Sequence, residues 1–422
     1  MPDNQTPWMM FRNELASFLV GGGGDVGRFS GLQTDTGVLP ALWDDPNFGL
    51  WLGLQTAREI PHWGPIYQPA PGNHVEDAYH TFLTNIDAPA QDEAAADEAK
   101  RLSGKLNEAL VAVNDLRVTV GPKWAIFNAS QANIPPEFQL SFANWFTSQI
   151  GPQLSVLQAQ YDNIAANWVA ASNRAGGGYQ TLAQALIDYN NPAPGFQIDA
   201  KDNNGATLRY RVWSLLPNLG QFITEAQAGN GTALNININT HTETTDSTHS
   251  SWNFNVGFNL GFFGLGGGGG HERTTVDTHT EDFSMTFFAP AFTGITVSPG
   301  PWFHQNVIQQ FKNGPFIPEG PFGPGRAVFF GETGTYSLQK TIIYVAWQPR
   351  VTATVDEQTY SSVKTSWNAS GGLSIGPFSF GGGAGGAHDH ADFTDNTRTI
   401  SMTSGSPHPQ ILATLSMVMP GN

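Results

Sequence analysis

An alternation of apolar and polar residues with the period of a β-strand runs through residues 234–262 and constrains the fold more than any other feature. Leu234, Ile236 and Ile238 begin a series of apolar residues at even positions, and asparagines fill the odd positions between them. Because successive side chains of a strand point to opposite faces, this pattern predicts one strand with an apolar and a polar face. Over these 29 residues, at about 3.3 Å per residue, the strand would approach ~100 Å, although globular strands average about 5–6 residues.

The chain repeats this pattern about 115 residues later, now with the apolar residues at odd positions from Val351 to Ile375. The two copies share a Ser-Trp-Asn triplet, a glycine tract followed by a histidine, and a return arm that ends in Ser-Met-Thr. The matching positions are 251–253 with 366–368, His271 with His388, and 284–286 with 401–403. We therefore predict that residues 234–287 and 351–403 are duplicated long β-hairpins.

Each hairpin has an apolar face close to its glycine-rich tip. The predicted face consists of Trp252, Phe254, Val256, Phe258, Leu260 and Phe262 in the first copy, and of Trp367, Leu373, Ile375 and Phe378 in the second. Burying a large apolar side chain contributes about 1.5–3 kcal/mol. Strands of the predicted length exceed what one 45.4 kDa globule covers, so we expect a homo-oligomer in which neighbouring copies or a lipid bilayer cover these faces.

The predicted fold class is α+β: an irregular and helical-hairpin region followed by a β-rich region with the two hairpins. In residues 89–191, Leu102, Leu106 and Val113 are spaced for one face of a helix, and a second helical period follows. The predicted divisions are an irregular Trp/Gly/Pro-rich region at 1–88, a helical hairpin domain at 89–191, a β region with the first hairpin at 192–298, a Pro/Gly-rich connector at 299–325, and a β region with the second hairpin at 326–422.

Composition restricts the classes of function. The formal net charge of −16 argues against nucleic acid as a partner, because such binding depends on basic surfaces. The segment GLSIG, residues 372–376, matches a nucleophile-elbow pattern but lies in an alternating strand with no helix after it, so we predict no enzyme activity and no cofactor. No signal peptide or transmembrane helix is recognisable, which predicts a cytoplasmic protein or one released by a non-classical route.

Histidines near the hairpin tips suggest two further roles. His388, His390 and Asp392 alternate, so on a strand all three would point to one side and could bind a metal ion. A metal-binding module at the second tip is therefore one alternative function. His271, His279, His388 and His390 could also gain charge near pH 6 and act as pH sensors.

Two amphipathic hairpins in the C-terminal half resemble the β-hairpin pore-forming proteins of the perforin and cholesterol-dependent cytolysin type. The segment FFGETGTYSLQK, residues 329–340, is similar to the glycine-rich signature of perforin-type proteins. The resemblance implies a membrane-inserting oligomer whose inserting segments are helical before they convert into strands. In this sequence, by contrast, those segments have the alternation of strands.

The return arms weigh against insertion into lipid. Both arms contain few apolar residues and several charges, and a lipid-spanning hairpin requires two arms that suit hydrocarbon. A self-assembling structural protein, in which hairpins of neighbouring copies build a shared β assembly, is therefore the first functional hypothesis. A membrane-inserting β-barrel pore-forming protein is the alternative.

Overall fold

A computed structural model describes residues 5–20, 31–34, 49–64, 67, 69–202, 204–217, 219–239, 261–265, 274–276, 283–370, 372–381 and 389–420. Antiparallel sheets and packed helices make up these residues, so the predicted α+β class is confirmed. The helices are α1 (Gln5–Val20), α2 (Gly49–Arg58), α3 (Val75–Asn85), α4 (Glu93–Ser130), α5 (Phe142–Gln149), α6 (Gly151–Ala175), α7 (Gly178–Tyr189), α8 (Leu219–Gln227), α9 (Gln305–Phe311) and α10 (Glu357–Ser370).

The strands form one large and several small antiparallel sheets. They are β1 (Leu32–Thr34), β2 (Glu59–Pro61), β3 (Pro69–His74), β4 (Gln197–Lys201), β5 (Thr207–Arg211), β6 (Trp213–Leu216), β7 (Thr232–Asn239), β8 (Phe263–Leu265), β9 (Thr274–Val276), β10 (Ser284–Pro299), β11 (Leu338–Trp347), β12 (Arg350–Thr354), β13 (Gly372–Ile375), β14 (Phe378–Gly381), β15 (His390–Thr394), β16 (Thr399–Thr403) and β17 (Gln410–Val418).

The large sheet is organised around the 16-residue strand β10. On one side β10 pairs with β6 and β7. On the other side it pairs with β11 and β12, which lie end to end and keep the same register along β10. Beyond them, β17 pairs with β11 and β16 pairs with β12, and the short strands β1 and β15 form the outer edge. Strands that lie end to end can be counted as one column. The sheet then has four long antiparallel columns, β6 with β7, β10, β11 with β12, and β17 with β16, and a short fifth one, β1 with β15.

Four columns end in one row. Ser284 of β10 lies opposite Asn239 on one side and Thr354 on the other, and Thr354 in turn lies opposite Thr399. Residues 240–283 are inserted at this row between Asn239 and Ser284, and residues 355–398 between Thr354 and Thr399; within the second insertion, β15 pairs beside β16 in the large sheet. Both predicted hairpin tips are thus inserted at the same end of the sheet.

The strand alternation is confirmed where β7 is described. Leu234, Ile236 and Ile238 are buried, and the asparagines at 235 and 237 are exposed. The opposite arm alternates in the same way, with Met285 and Phe287 buried. One face of this half of the sheet is therefore core and the other is polar.

The predicted helical hairpin is confirmed, with a first helix of 38 residues and a second of 25. Asp92 caps α4 by accepting a hydrogen bond from the Ala95 amide at 3.1 Å. α4 and α6 pack along each other, and the Trp168 indole donates to the Ser103 hydroxyl at 3.0 Å in their interface. With α3, α7 and α9, these helices bury one face of the sheet at the end away from the shared row, where Ile295, Ile343 and Val345 lie.

Two regions expected to be irregular contain packed helices. Within 1–88, Trp8, Phe11 and Leu15 of α1 are buried, and within the connector 299–325, α9 inserts Ile308 and Phe311 into the core. α1 gave no clear helical period because core surrounds most of its circumference, so apolar residues are not confined to one stripe.

We expect the buried His80 to make the stability of this helical layer pH-dependent. Burial and, to a smaller extent, the charge of Arg211 lower the pKa of His80 to about 3. The unfolded chain binds a proton on this histidine below about pH 6.5, while the folded protein does not, so unfolding becomes more favourable as pH falls from about 6.5 towards 3. Between pH 7 and pH 5 this residue should account for a loss of about 2 kcal/mol.

Urea denaturation of His80→Phe measures this contribution. The variant should lose about 2 kcal/mol less than wild type between pH 7 and pH 5, whereas His62→Gln, at an exposed histidine, should behave like wild type. Equal losses in all three proteins would contradict the assignment.

Candidate functional site

The candidate site is formed by the two segments inserted at the shared row, which we name the hairpin end. Its described residues are Gly261–Leu265, β9, α10, β13, β14 and β15. The four strands β14, β13, β8 and β9 form a separate small sheet in that order. Both predicted tips therefore contribute to one sheet, through the pairing of β8 with β13.

A tight turn requires a glycine at the second tip. Gly376 joins β13 to β14 at φ +54°, and its amide donates to the Phe262 carbonyl at 2.7 Å. A Cβ at this position would lie 2.8 Å from the Phe262 ring. Both the backbone conformation and the close approach of the first tip thus exclude a larger residue here.

The described apolar face is buried inside the chain. Phe262, Leu373, Ile375 and Phe378 are at most 1% exposed. They are covered by α1 and by the large sheet: Trp8 contacts Phe262 edge-on, with ring centroids 5.2 Å apart. The expectation that these side chains need a neighbouring copy or a bilayer for burial is therefore wrong, because the N-terminal helix supplies the missing surface.

One aromatic stack joins the small sheet to the large one. The rings of Phe287 and Phe378 are parallel within 9° and 4.1 Å apart, and Phe11 contacts both edge-on. The hairpin end is thus fixed by three rings from three separate elements.

The strand predicted from Val351 to Ile375 is wrong between Glu357 and Ser370, where α10 forms. Ten of its 14 residues are Ser, Thr, Asn, Val, Tyr or Trp, which are weak helix formers. The helix begins because Asp356 accepts hydrogen bonds from the amides of Gln358 and Thr359, at 2.9 and 3.0 Å. Asp356 is the sequence signal that strand periodicity concealed.

Tertiary contacts hold α10 in place. Tyr360 and Val363 are buried on one face of the helix. The Tyr360 hydroxyl donates to Asp395 at 2.6 Å, and Lys364 forms an ion pair with the same carboxylate. The hydrogen bond and ion pair hold the pKa of Asp395 below its usual value, first through Lys364 and then through Tyr360. Trp367 is half-buried beside this core.

The return arm is folded back onto the large sheet. β15 pairs with β16, with Asp392 opposite Ser401, and a left-handed residue, Arg398, closes the turn between them. Asp389 anchors the arm by accepting hydrogen bonds from the Gly381 amide at 2.6 Å and the Ser404 hydroxyl at 3.0 Å.

The predicted metal site is only partly visible. The Nε2 atom of His390 lies 3.2 Å from a carboxylate oxygen of Asp392, both side chains are exposed, and His388 lies outside the described residues. In the described part of the chain, no three His, Cys, Asp or Glu side chains come together as a set of metal ligands. Of the four proposed pH sensors, His271, His279 and His388 lie outside the described residues, and His390 is exposed.

Five residues of the predicted apolar face also lie outside the described residues: Trp252, Phe254, Val256, Phe258 and Leu260. Residues 329–340 run into the first residues of β11, and Phe329 and Tyr336 of this segment lie in the core beneath the helices. Where helices are described, none is both long and apolar enough to serve as a membrane span.

We expect the Phe287–Phe378 stack to couple the two sheets energetically. Phe287→Leu and Phe378→Leu should each lower the free energy of unfolding, and the double variant should show a coupling of about 0.5–1.5 kcal/mol. Urea denaturation of the four proteins measures it. Phe288→Leu, at the half-buried neighbour on the opposite face, should show no coupling to Phe378→Leu. Strict additivity of Phe287→Leu and Phe378→Leu would contradict the stack's role.

No protein-family model, no curated protein and no solved structure matches this chain.

Proposed function

We propose that this protein is a non-enzymatic, homo-oligomeric, membrane-permeabilising protein. In the proposal, residues 240–283 and 355–398 refold into two β-hairpins that extend the large sheet and insert into a bilayer. This function is the pore-forming alternative from the sequence analysis, and it is consistent with the resemblance to perforin-type proteins.

The registers of two hairpins support this proposal most directly. β12 pairs with β16 so that Thr354 lies opposite Thr399, and β13 pairs with β14 so that Gly372 lies opposite Gly381. Gly372 comes 18 residues after Thr354, and Gly381 comes 18 residues before Thr399. A single hairpin continued from β12 and β16 without a slip would place Gly372 opposite Gly381, which is their present pairing. Refolding of α10 and β15 would therefore join two hairpins that already share one register.

The extended hairpin would have the pattern of a transmembrane β-hairpin. Residues 367–376 and 377–386, ten on each side of the turn, contain no charged side chain, and a spanning strand needs about 9–11 residues. One face would be apolar and the other would consist of small and polar residues, as lipid and a water-filled lumen require. The apolar face would carry Trp367, Ala369, Leu373, Ile375, Phe378, Phe380 and Ala384.

The charges nearest the tip fit the same register. Lys364 is the last charged residue before the turn and Asp389 is the first formally charged residue after it. In the extended hairpin they lie directly opposite each other, where opposite charges attract. The charges of the return arm therefore do not prevent insertion, because they begin only beyond the ten residues needed to span a bilayer.

The first inserted segment has the same dimensions. Residues 240–283 and 355–398 are both 44 residues long and leave the sheet in the same row. In the first segment, residues 252–270 are free of charge, and residues 252–262 alternate in sequence. Two hairpins per chain supply four strands, whereas membrane barrels have eight or more and must close. Several copies must therefore contribute to one barrel.

The helix α10 also fits a segment that changes structure. Its sequence has the period of a strand and weak helix propensity, and its helical state depends on Asp356, Asp395 and the core contact of Val363. Loss of those contacts leaves little intrinsic preference for the helix.

We expect a disulfide that locks β15 onto β16 to block permeabilisation. Asp392→Cys combined with Ser401→Cys places the two thiols opposite each other in the present sheet, and the chain has no other cysteine. Oxidised double variant should release dye from phosphatidylcholine vesicles about tenfold more slowly than wild type or not at all, and reduction should restore release.

A disulfide between Lys201→Cys and Thr207→Cys, across the β4–β5 pair, is the matched control and should leave dye release unchanged. Equal release by the oxidised 392/401 variant would contradict the refolding. If wild type releases no dye from phosphatidylcholine, anionic or natural-lipid vesicles but forms rings or tubes without lipid, the protein is the self-assembling structural protein that the sequence also predicts.

A further inference from the structure

A cluster of arginines lines a cleft on the helical side of the molecule, away from the residues that refold in the proposed function. The chain has only 19 Lys and Arg against 35 Asp and Glu, yet Arg117, Arg209 and Arg211 line the same two adjoining cavities. α4 supplies the first and β5 the other two. Arg209 forms an exposed ion pair with Asp199 at 3.0 Å, which leaves Arg117 and Arg211 as the inner pair.

Tyr189 fixes Arg211 in place. The guanidinium carbon lies 3.4 Å from the centre of the Tyr189 ring, and Nε donates to the Tyr189 carbonyl at 3.1 Å. Tyr189 itself is 1% exposed. This stacking and hydrogen bond use one edge and one face of the guanidinium, so its terminal N–H groups are held in a defined orientation.

Arg117 lies nearby and makes no close ion pair. One of its terminal nitrogens donates to the Gln158 side-chain oxygen at 3.2 Å. Within the described ranges, neither Arg117 nor Arg211 forms an ion pair with a carboxylate. Burial and then the charge of Arg211 lower the pKa of Arg117. The charge of Asp77 acts on both arginines, but neither forms a close ion pair with it. Two neighbouring cations without a close ion pair cost stability in the unliganded protein, which is typical of a ligand site rather than a structural one.

The cavity beside these arginines has room for a small organic molecule. Its volume is about 460 Å³, within the range of about 300–1,000 Å³ for ligand pockets. The other residues that line it are of two kinds, apolar or aromatic and amide or carboxylate. They include Leu110, Val113 and Tyr161, and Gln158, Asp162, Asn190 and Gln197. Such a set can hydrogen-bond the hydroxyl groups of a polyol.

We propose that this cleft binds a phosphate ester, with Arg117 and Arg211 on the phosphoryl group and the amide side chains on the organic part. Guanidinium groups bind phosphate through two parallel charge-assisted hydrogen bonds, and two of them suit a tetrahedral oxyanion better than a planar carboxylate. The phosphate ester could be a free metabolite or the headgroup of a phospholipid, because both present the same chemistry.

Titration calorimetry and thermal unfolding with glycerol 3-phosphate and with inorganic phosphate test the proposal. Both probes should bind wild-type protein more tightly than chloride at equal ionic strength, and Arg117→Gln and Arg211→Gln should weaken binding about tenfold or more. Arg174→Gln, which removes an exposed arginine paired with Glu98, is the matched control and should bind normally. Without ligand, Arg117→Gln should unfold at a temperature equal to or above that of wild type, and with saturating phosphate it should unfold below wild type.

Co-sedimentation with phosphatidylcholine vesicles, with and without phosphatidic acid, separates the two sources. Sedimentation that requires phosphatidic acid and Arg117, and that glycerol 3-phosphate reverses, assigns a lipid headgroup; binding of glycerol 3-phosphate alone assigns a free ester. The proposal is overturned if no probe binds better than chloride, or if Arg117→Gln and Arg174→Gln weaken binding equally. Arg211→Gln also loses the contact with Tyr189 and could fail to fold for that reason. In that case the result with Arg117→Gln alone decides the proposal.

Discussion

The common row at which four columns of the large sheet end is the constraint on which the rest of the structure depends. Asn239, Ser284, Thr354 and Thr399 lie side by side, so both inserted segments start and finish at one end of one sheet. Antiparallel pairing then limits what each segment can become, because a hairpin that continues from paired strands inherits their register. The β13–β14 hairpin satisfies that register although a helix separates it from β12. Its pairing is therefore compatible with both the folded-back and the extended arrangement.

In the proposed function, the same residues would serve two environments through a change of partner. In the folded chain Phe378 and Ile375 pack beneath α1 and Phe287, and the small sheet needs no bilayer to bury them. Extension would remove these side chains from that core and would cost the corresponding burial free energy unless lipid replaced it. A bilayer supplies such a replacement, whereas water does not. If the proposed function holds, the apolar cover formed by α1 favours the compact state away from a membrane.

Sequence alone predicted the elements whose pattern is set locally. The period of α4 and the alternation of β7 follow from side chains that face one core, so their burial could be read directly. α10 could not be predicted in this way, because its strand-like alternation conflicts with a helix that Asp356 caps and Asp395 holds from 39 residues further along the chain. α1 was missed for the opposite reason, since core on several sides removes the periodic stripe. The arginine cleft was invisible because α4 and β5 meet only in three dimensions.

The charge distribution connects these features. A chain with a formal charge of −16 is repelled by anionic surfaces and, at long range, by other copies of itself. Salt at physiological strength screens that repulsion beyond about 8–10 Å, so close contacts are decided by local groups. The uncharged residues 365–387 and the arginine pair are two such groups, one apolar and one cationic. If the cleft binds a lipid headgroup, it would bring the acidic chain to a membrane before any apolar surface is exposed. Apolar burial would then follow binding, which limits uncontrolled association in solution.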